Sequence, residues 1–307
     1  LIHVSKDGGK NWENVTPKEA GQWMMWNCVE TDPFKKGKAY FVGTKYKSDD
    51  FAPYLFKTED YGKTWTKITN GINGIHFTRA LRADKRRSGL LYCGTEYGMY
   101  ISYDDGANWK PFQLNLPMVP ITDLTIKEND LIVATQGRAF WVLDDLTPVQ
   151  QKDISILDKK LFAFSVNDVY RYDGFQISNP KNAGMNPPNG SVINYYVKNI
   201  SDSAKVSIDI LDKNKKLIKT FSNKAKEKED KIDVNAGMNQ FVWNMLYPPA
   251  EKVDGQIIWH GTVPGPKAAP GQYFYKIKVD KDSVEGSFHI KANPVYNLSQ
   301  QDYEEQF

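Results

Sequence analysis

"SYDDGANW" at residues 102–109 is one of three variants of a single pattern in this chain. The others are "SKDGGKNW" at 5–12 and "TEDYGKTW" at 58–65, and all three fit [ST]-x-D-x-G-x-[NT]-W. Short oxygen-bearing side chains accept bonds from nearby backbone N–H groups, and glycine tolerates positive φ, so the pattern predicts a tight turn. We call these segments the repeat turns; their structural residues are Ser5, Asp7, Gly9, Trp12, Thr58, Asp60, Gly62, Trp65, Ser102, Asp104, Gly106 and Trp109.

Each repeat turn lies between two stretches of alternating apolar and polar residues. "LIHVS" and "WENV" flank the first turn, and "GMYIS" and "WKPF" flank the third. Alternation with a period of two predicts β-strands, so each turn should join two antiparallel strands. Because each tryptophan follows the same turn, we expect Trp12, Trp65 and Trp109 to be buried at equivalent positions.

The spacing of the turns predicts the architecture of residues 1–148. Asp60 follows Asp7 by 53 residues and Asp104 follows Asp60 by 44 residues, the length of a four-stranded blade. A further unit, "PITDLTIKENDLIVATQGRAFWVLDD", has three strands and no repeat turn. The prediction is an all-β, partial β-propeller: half a blade, two full blades and most of another.

The repeat turns resemble the Asp-box, or BNR repeat, of sialidases, two-propeller xyloglucanases and sortilin-like propellers. In addition, "GTEYGMYISYDDGANW" and "DLIVATQGRAFWVLDD" resemble C-terminal blades of large secreted bacterial proteins labelled glycosyl hydrolases. The resemblance implies a fragment of a longer β-propeller protein that is secreted, periplasmic or on the cell surface. It also implies glycosidase activity, although the turn lies away from the reacting face in enzymes that carry it.

Composition excludes several classes of function. The net charge of +3 comes from 40 basic and 37 acidic residues spread along the chain, without the one-signed stripe of a nucleic-acid-binding protein. No apolar run reaches the roughly 18 residues that span a bilayer. Four scattered histidines give no metal-ligand spacing, and no glycine-rich phosphate loop opens a helix, so no metal and no cofactor are expected. Cys28 and Cys93 are either buried free thiols or, if close enough, a disulfide.

The pattern changes after Asp145. We predict a linker over 149–187, an Ig-like or fibronectin-like β-sandwich over 188–293 and a tail over 294–307 that starts a truncated helix. Seven short alternating runs, including "KIDVN", predict the sandwich strands, with Trp243 in the core. "GMNQFVWNMLYPP" and "APGQYFYKI" resemble Ig-like modules that close secreted bacterial proteins. Such a module is a spacer or docking domain, or it binds carbohydrate through exposed aromatic residues such as Trp259.

Strand order predicts where a ligand site would lie. Each repeat turn joins strands three and four of a blade, so loops between strands two and three lie on the opposite face with the connections into strand one. These loops bring Glu96 as acid or base, and Arg138, Arg79, His76, Tyr97 and Trp26 as binding residues, to one rim with Trp23 and Gln136. Glu96 and Arg138 should stand side by side, with the arginines binding an anionic group. The structural alternative is an Arg–Glu pair that only ties blades together.

Two functions remain open on the sequence. The first is a binding or scaffold module for a glycan or protein partner. The alternative is a glycoside hydrolase completed by blades outside these residues, which requires two facing carboxylates, of which only Glu96 is identified. An incomplete propeller exposes strand edges, which we expect the rest of the parent chain, the linker, the Ig-like domain or self-association to cover.

Overall fold

The structure is a computed structural model that describes residues 1–172, 184–250 and 264–305. The chain forms two compact units, Leu1–Leu146 and Thr147–Phe307. Within the described ranges, no helix has the length and hydropathy that crossing a bilayer requires. Trp259, singled out from the sequence as a carbohydrate contact, lies outside these ranges.

The first unit contains thirteen strands in four antiparallel sheets, each built from strands that follow one another along the chain. The first sheet has two strands, the second and third have four each, and the fourth has three. Short 3-10 helices lie at Lys18–Ala20 and Tyr46–Ser48. The strands are β1 (His3–Val4), β2 (Glu13–Asn14), β3 (Met25–Thr31), β4 (Ala39–Lys45), β5 (Asp50–Thr58), β6 (Thr66–Lys67), β7 (Thr78–Ala83), β8 (Leu91–Thr95), β9 (Gly98–Ser102), β10 (Lys110–Pro111), β11 (Ile121–Lys127), β12 (Asp130–Thr135) and β13 (Phe140–Leu143).

Successive sheets of the first unit pack against each other. Strand β7 of the third sheet contacts β3 and β4 of the second, and β11 of the fourth contacts β7 and β8 of the third. This all-β arrangement is consistent with part of a β-propeller. Its sheets of two, four, four and three strands match the predicted half blade, two full blades and incomplete blade. The core that joins the second and third sheets contains Tyr40, Val42, Leu55, Ile68, Leu81, Leu91, Cys93, Tyr100 and Trp109.

Strand direction gives the first unit two rims. The repeat turns join β1 to β2, β5 to β6 and β9 to β10, and they lie on what we call the turn rim. The loops that join β4 to β5, β8 to β9 and β12 to β13 lie at the other ends of the strands, with the connections between sheets. We call that side the opposite rim.

The three repeat turns contain the same hydrogen bonds. In the third, Ser102 Oγ donates to Asp104 Oδ1 (2.8 Å) and accepts from Gly106 N–H (2.9 Å). Asp104 also accepts from the backbone and side-chain N–H groups of Asn108, each at 2.8 Å. Equivalent bonds recur among Ser5, Asp7, Gly9 and Asn11, and among Thr58, Asp60, Gly62 and Thr64, where the Thr64 hydroxyl replaces the side-chain amide as donor.

The backbone conformation of the turn requires the glycine of the pattern. Gly106 has φ 84° and follows Asp105, which has φ 63°. Two consecutive residues in the left-handed region reverse the chain, and a residue with a Cβ at the second position would be strained. A Cβ on Gly106 would also lie 2.6 Å from Ile68 Cδ1, so the turn and its packing both require glycine.

An ion-pair network on the turn rim links the second and third sheets. Asp105 Oδ1 lies 2.8 Å from Lys38 Nζ, and Asp105 Oδ2 lies 2.7 Å from Lys57 Nζ. Tyr40 Oη lies 2.5 Å from Asp105 Oδ1, and Lys38 also pairs with Asp32 at 3.3 Å. Burial opposes ionisation of Asp105, but the two lysines and Tyr40 outweigh it, so its pKa is lowered.

The expectation that all three tryptophans are buried alike is wrong for Trp12. Trp109 is 3% exposed, Trp65 is half-buried and Trp12 is 62% exposed. Trp65 and Trp109 each lie against the preceding sheet, whereas the indole of Trp12 donates to Gly9 O of its own turn (3.1 Å). The turn is therefore local, but burial of its tryptophan depends on a neighbouring sheet.

In its described residues, 147–172, 184–250 and 264–305, the second unit contains eight strands in two sheets, with orders β14-β16-β19 and β15-β21-β20-β17-β18. The pairs among these eight strands are antiparallel except β15 with β21. The strands are β14 (Leu161–Ala163), β15 (Val169–Tyr170), β16 (Ser191–Val197), β17 (Val206–Leu211), β18 (Leu217–Ser222), β19 (Gly237–Trp243), β20 (Gly271–Val279) and β21 (Asp282–Lys291). The helices are α1 (Thr147–Gln150) and α2 (Gln300–Glu304), with 3-10 segments at Ile154–Asp158 and Lys228–Asp230.

Both sheets of the second unit contribute to one hydrophobic core. Trp243 is fully buried, as expected, with its ring 5.5 Å from that of Tyr273 and 6.0 Å from that of Phe288. The predicted strand "KIDVN" is wrong: Lys231 makes only an isolated bridge to Ser222 after the 3-10 segment.

Part of the predicted linker 149–187 belongs to these sheets. Leu161–Ala163 pairs with β16 and Val169–Tyr170 pairs with β21. Both pairings depend on partners distant in sequence, which local alternation does not reveal.

In the tail, Ser299 caps α2 through a reciprocal pair of bonds with Asp302, and Tyr303 is buried.

Candidate functional site on the opposite rim

Arg79 and Glu96 form an ion pair at the predicted site. Arg79 lies at a bulge near the start of β7, and Glu96 follows β8 directly. Both Nε and Nη2 of Arg79 lie 2.5 Å from Glu96 Oε2, and Glu96 N–H donates to Phe77 O (3.0 Å). The pair therefore braces two strands of the third sheet, and each charge compensates the other.

Aromatic rings flank this ion pair. The guanidinium of Arg79 lies 5.1 Å from the ring centre of Phe77 and 5.9 Å from that of Tyr46. The rings of Tyr46 and Phe77 stack at 5.1 Å, and Phe51 lies 6.1 Å from Phe77. These three aromatic residues were not among the predicted site residues, although all lie in the loops that defined the predicted rim.

His76 is held in an uncharged setting beside Tyr97. Their rings stack at 4.8 Å, and His76 Nδ1 is hydrogen-bonded to the hydroxyl of Tyr100 at 2.9 Å. Burial lowers the pKa of His76, so its ring is neutral at pH 7. The three residues Arg79, Glu96 and His76 together therefore carry little net charge.

Arg138 and Trp26 have different surroundings from those predicted. Arg138 is exposed and its Nη1 donates to the neighbouring carbonyl of Gly137 (2.9 Å), while Glu96 is paired with Arg79. Trp26 packs inside its own sheet, with its ring 6.2 Å from Phe41 and 5.8 Å from Phe56. Gln136, in the same loop as Arg138, uses its backbone N–H to bond Pro120 O (2.9 Å).

Trp23 is the most exposed aromatic residue of this rim. It precedes β3, is 86% exposed and has φ 64°, a left-handed conformation that is unusual for a bulky residue. Large apolar residues exposed on the opposite rim are Trp23, Met25, Phe51, Ile75, Tyr97, Leu114, Met118 and Phe140.

Other chemistry is limited in the described ranges. They contain no cluster of three or more His, Cys, Asp or Glu residues placed to hold a metal ion. Cys28 and Cys93 are both free thiols. A cavity of about 620 Å³ lies in the second unit, lined by residues that include Tyr195, Phe221 and Tyr247.

Comparison with known proteins supports the propeller assignment. A family model described as Sortilin-Vps10 (sortilin, neurotensin receptor 3), a β-propeller domain, matches residues 1–138. No curated protein sequence matches the chain significantly. The matched region contains most of the four sheets of the first unit.

Several solved structures have partial similarity. YCF48 bound to D1 peptide is 20% identical, over 46% of this chain and 42% of that one, with a TM-score of 0.35. YCF48 from Cyanidioschyzon merolae is 17% identical, over 47% and 46%, with a TM-score of 0.34. The GH74 enzyme of Niastella koreensis is 14% identical, over 56% and 28%, with a TM-score of 0.32. The chain thus spans less than half the length of each.

Proposed function

We propose that this chain is part of a secreted Asp-box β-propeller protein with an Ig-like sandwich, and that its opposite rim binds a protein or glycan partner. The observation that carries the proposal is the concentration of exposed large apolar side chains on that rim. Exposed apolar surface costs free energy in water, and on folded proteins it commonly marks a binding surface. The resemblance of the repeat turns to the Asp-box supports the propeller and the secreted location.

The electrostatics of the part of the rim around Arg79, Glu96 and His76 favour an uncharged ligand. Glu96 compensates the charge of Arg79 at 2.5 Å, and His76 is neutral at pH 7. An anionic ligand would have to compete with Glu96 for the guanidinium, which is costly for a pair that is three-quarters buried. Tyr97 and Phe51 instead offer exposed ring surface for an apolar side chain or the apolar face of a sugar.

The hydrolase alternative has less support from the site. An inverting glycosidase holds two carboxyl groups roughly 6.5–9.5 Å apart, and a retaining one holds them about 5–5.5 Å apart. Glu96 is the predicted acid or base, but its carboxylate is directed at Arg79. Glu96→Gln therefore separates the two functions: it abolishes hydrolysis if Glu96 is catalytic and leaves apolar binding intact if the rim is a binding surface.

A paired screen tests the binding function. The full chain, a Tyr97→Ser/Ile75→Ser variant and a Phe34→Ser control are applied to a glycan array and a random peptide display library. Phe34 matches the rim residues in exposure and lies in the β3–β4 turn on the turn rim. We expect ligands that bind the native chain and the control but lose at least tenfold in affinity for the rim variant. Equal binding by all three proteins, or none by the native chain, would contradict the proposal.

A further inference from the structure

Two cavities of the second unit adjoin at one tyrosine. The cavity of about 620 Å³ is lined by Tyr195, Phe221 and Phe241, among others, and a second cavity of about 490 Å³ is lined in part by Tyr273. Tyr247 lines both cavities, and its side chain is half-buried. Each volume lies within the roughly 300–1,000 Å³ that is usual for ligand pockets. The pair can therefore hold a ligand longer than either cavity alone.

The ring of Tyr247 is fixed in place from two sides. Its hydroxyl is hydrogen-bonded to that of Tyr273, which in turn donates to Ala269 O at 2.8 Å. Its backbone N–H donates to Pro266 O at 2.9 Å. A Cβ on Gly265 would collide with the carbonyl oxygen of Tyr247, so glycine permits this close approach of the two segments. A ring that is already fixed loses little conformational entropy when a ligand binds.

Exposed carboxamide side chains supply hydrogen-bonding groups in both cavities. They are Gln240 and Asn244 in the larger cavity, and Gln272 and Gln300 in the smaller one. Gln240 Nε2 donates to Asn194 Oδ1 at 3.2 Å, which orients the side chain and leaves Gln240 Oε1 without a bond among the described residues. Gln300 is oriented in the same way by Pro270 O, at 2.9 Å. A carboxamide both donates and accepts, as a hydroxyl group does, so these side chains complement a ligand rich in hydroxyl groups.

The charges around the cavities disfavour an ionic ligand. In their described walls, the larger cavity has two acidic and two basic residues, and the smaller has two acidic residues and one basic. Lys219 is compensated by Asp230 at 2.6 Å, and Lys213 lies 3.7 Å from Glu304. An anion or a cation would therefore meet charge of its own sign in both cavities, whereas an uncharged ligand would not.

We propose that the two cavities form one binding site for an uncharged oligosaccharide, with the Tyr247 ring against one sugar and the carboxamides bonded to sugar hydroxyls. A tyrosine ring offers apolar surface to the C–H face of a sugar. The two adjoining cavities favour a chain of sugars over a single one. The site lies in the second unit, so it is a binding function in addition to the one proposed for the opposite rim.

An array of neutral and acidic oligosaccharides tests the site with the full chain. The variants are Tyr247→Ala, Gln272→Ala and, as a matched control, Tyr170→Ala, since Tyr170 is an exposed tyrosine of the same unit that lines neither cavity. The Tyr97→Ser/Ile75→Ser variant is applied to the same array. Oligosaccharides that this rim variant no longer binds report on the opposite rim and are set aside, so the two proposals are tested separately.

We expect the remaining ligands to be neutral oligosaccharides. Their affinity should fall at least tenfold in Tyr247→Ala and severalfold in Gln272→Ala, and it should be unchanged in Tyr170→Ala. Circular dichroism checks that each variant is folded, and Gln272→Ala decides the test if Tyr247→Ala is not. The proposal would be overturned if no neutral oligosaccharide remained, if only acidic ones bound, or if the folded cavity variants bound as well as the native chain.

Discussion

The two rims of the first unit are formed by opposite ends of the same strands, yet their side chains are arranged for different tasks. On the turn rim, the oxygens of Asp104 and Asp105 are satisfied by bonds within the turn or across to the second sheet. On the opposite rim, Trp23, Ile75 and Tyr97 expose much of their apolar surface, although the Tyr97 ring also stacks on His76. Under the proposed function, stability is concentrated on one rim and recognition on the other.

The largest expected effect concerns the turn-rim tryptophans. Trp109→Ala removes a fully packed indole and its bond to Ile68 O, so we expect a loss of roughly 3–5 kcal/mol in the free energy of unfolding. Trp12→Ala removes an exposed indole and should cost under about 1 kcal/mol. Urea titrations of both variants measure this difference, and equal losses would show that the two positions pack alike.

The Asp105 network comes next. Asp105→Ala leaves Lys38, which is 9% exposed, without its closest carboxylate, and we expect a loss of roughly 3 kcal/mol. Arg138→Met on the opposite rim is the matched control, since Arg138 is exposed, and should stay within about 0.5 kcal/mol of the native chain. Chemical denaturation of both variants at pH 7 provides the comparison. An unchanged free energy of unfolding for Asp105→Ala would mean that the network does not stabilise the contact between the sheets.

Acid should affect the turns in a defined pH window. Bonds from the backbone and side chain of Thr64 lower the pKa of Asp60 from 3.8 to about 2. A carboxyl with a lowered folded-state pKa stabilises the fold above its unfolded pKa, and this contribution is lost as pH falls from about 4 to 2. Asp60→Asn should therefore flatten the decline of stability between pH 4 and 2. An unchanged slope would show that the turn does not hold the carboxylate.

The smallest expected effect on stability is on the opposite rim. Tyr97→Ser removes a half-exposed ring that stacks on His76, and the free energy of unfolding should change by about 0.5–1 kcal/mol at most. Thermal and urea unfolding of Tyr97→Ser measure this, with Tyr100→Phe as a variant that removes only the hydroxyl bonded to His76. A loss as large as that of Trp109→Ala would make the rim a structural element.

The turns could be predicted from sequence because they are local. Ser102, Asp104 and Gly106 bond to groups two to four residues away, so a short pattern contains the whole interaction. The number of sheets in the first unit could also be predicted, because the repeat turns recur at about the length of one four-stranded sheet. Burial of Trp12 could not be predicted in this way, because it depends on the presence of another sheet.

The candidate site was predictable only as a set of loops. Topology brings Arg79, His76, Glu96 and Tyr97 to one rim, but it does not determine which groups pair. Arg79, which lies at the bulge in β7, pairs with Glu96 across a strand pair. The stack of Tyr46 on Phe77 joins two sheets and has no signal in either segment alone.

Hydrogen exchange tests the central claim that the opposite rim is the recognition surface. The full chain is compared with and without a saturating ligand selected from the peptide or glycan screen. The account predicts slower exchange in residues 45–51, 75–79 and 96–98, with no change in the repeat turns at 5–12, 58–65 and 102–109. Protection confined to the repeat turns or to the second unit would contradict it.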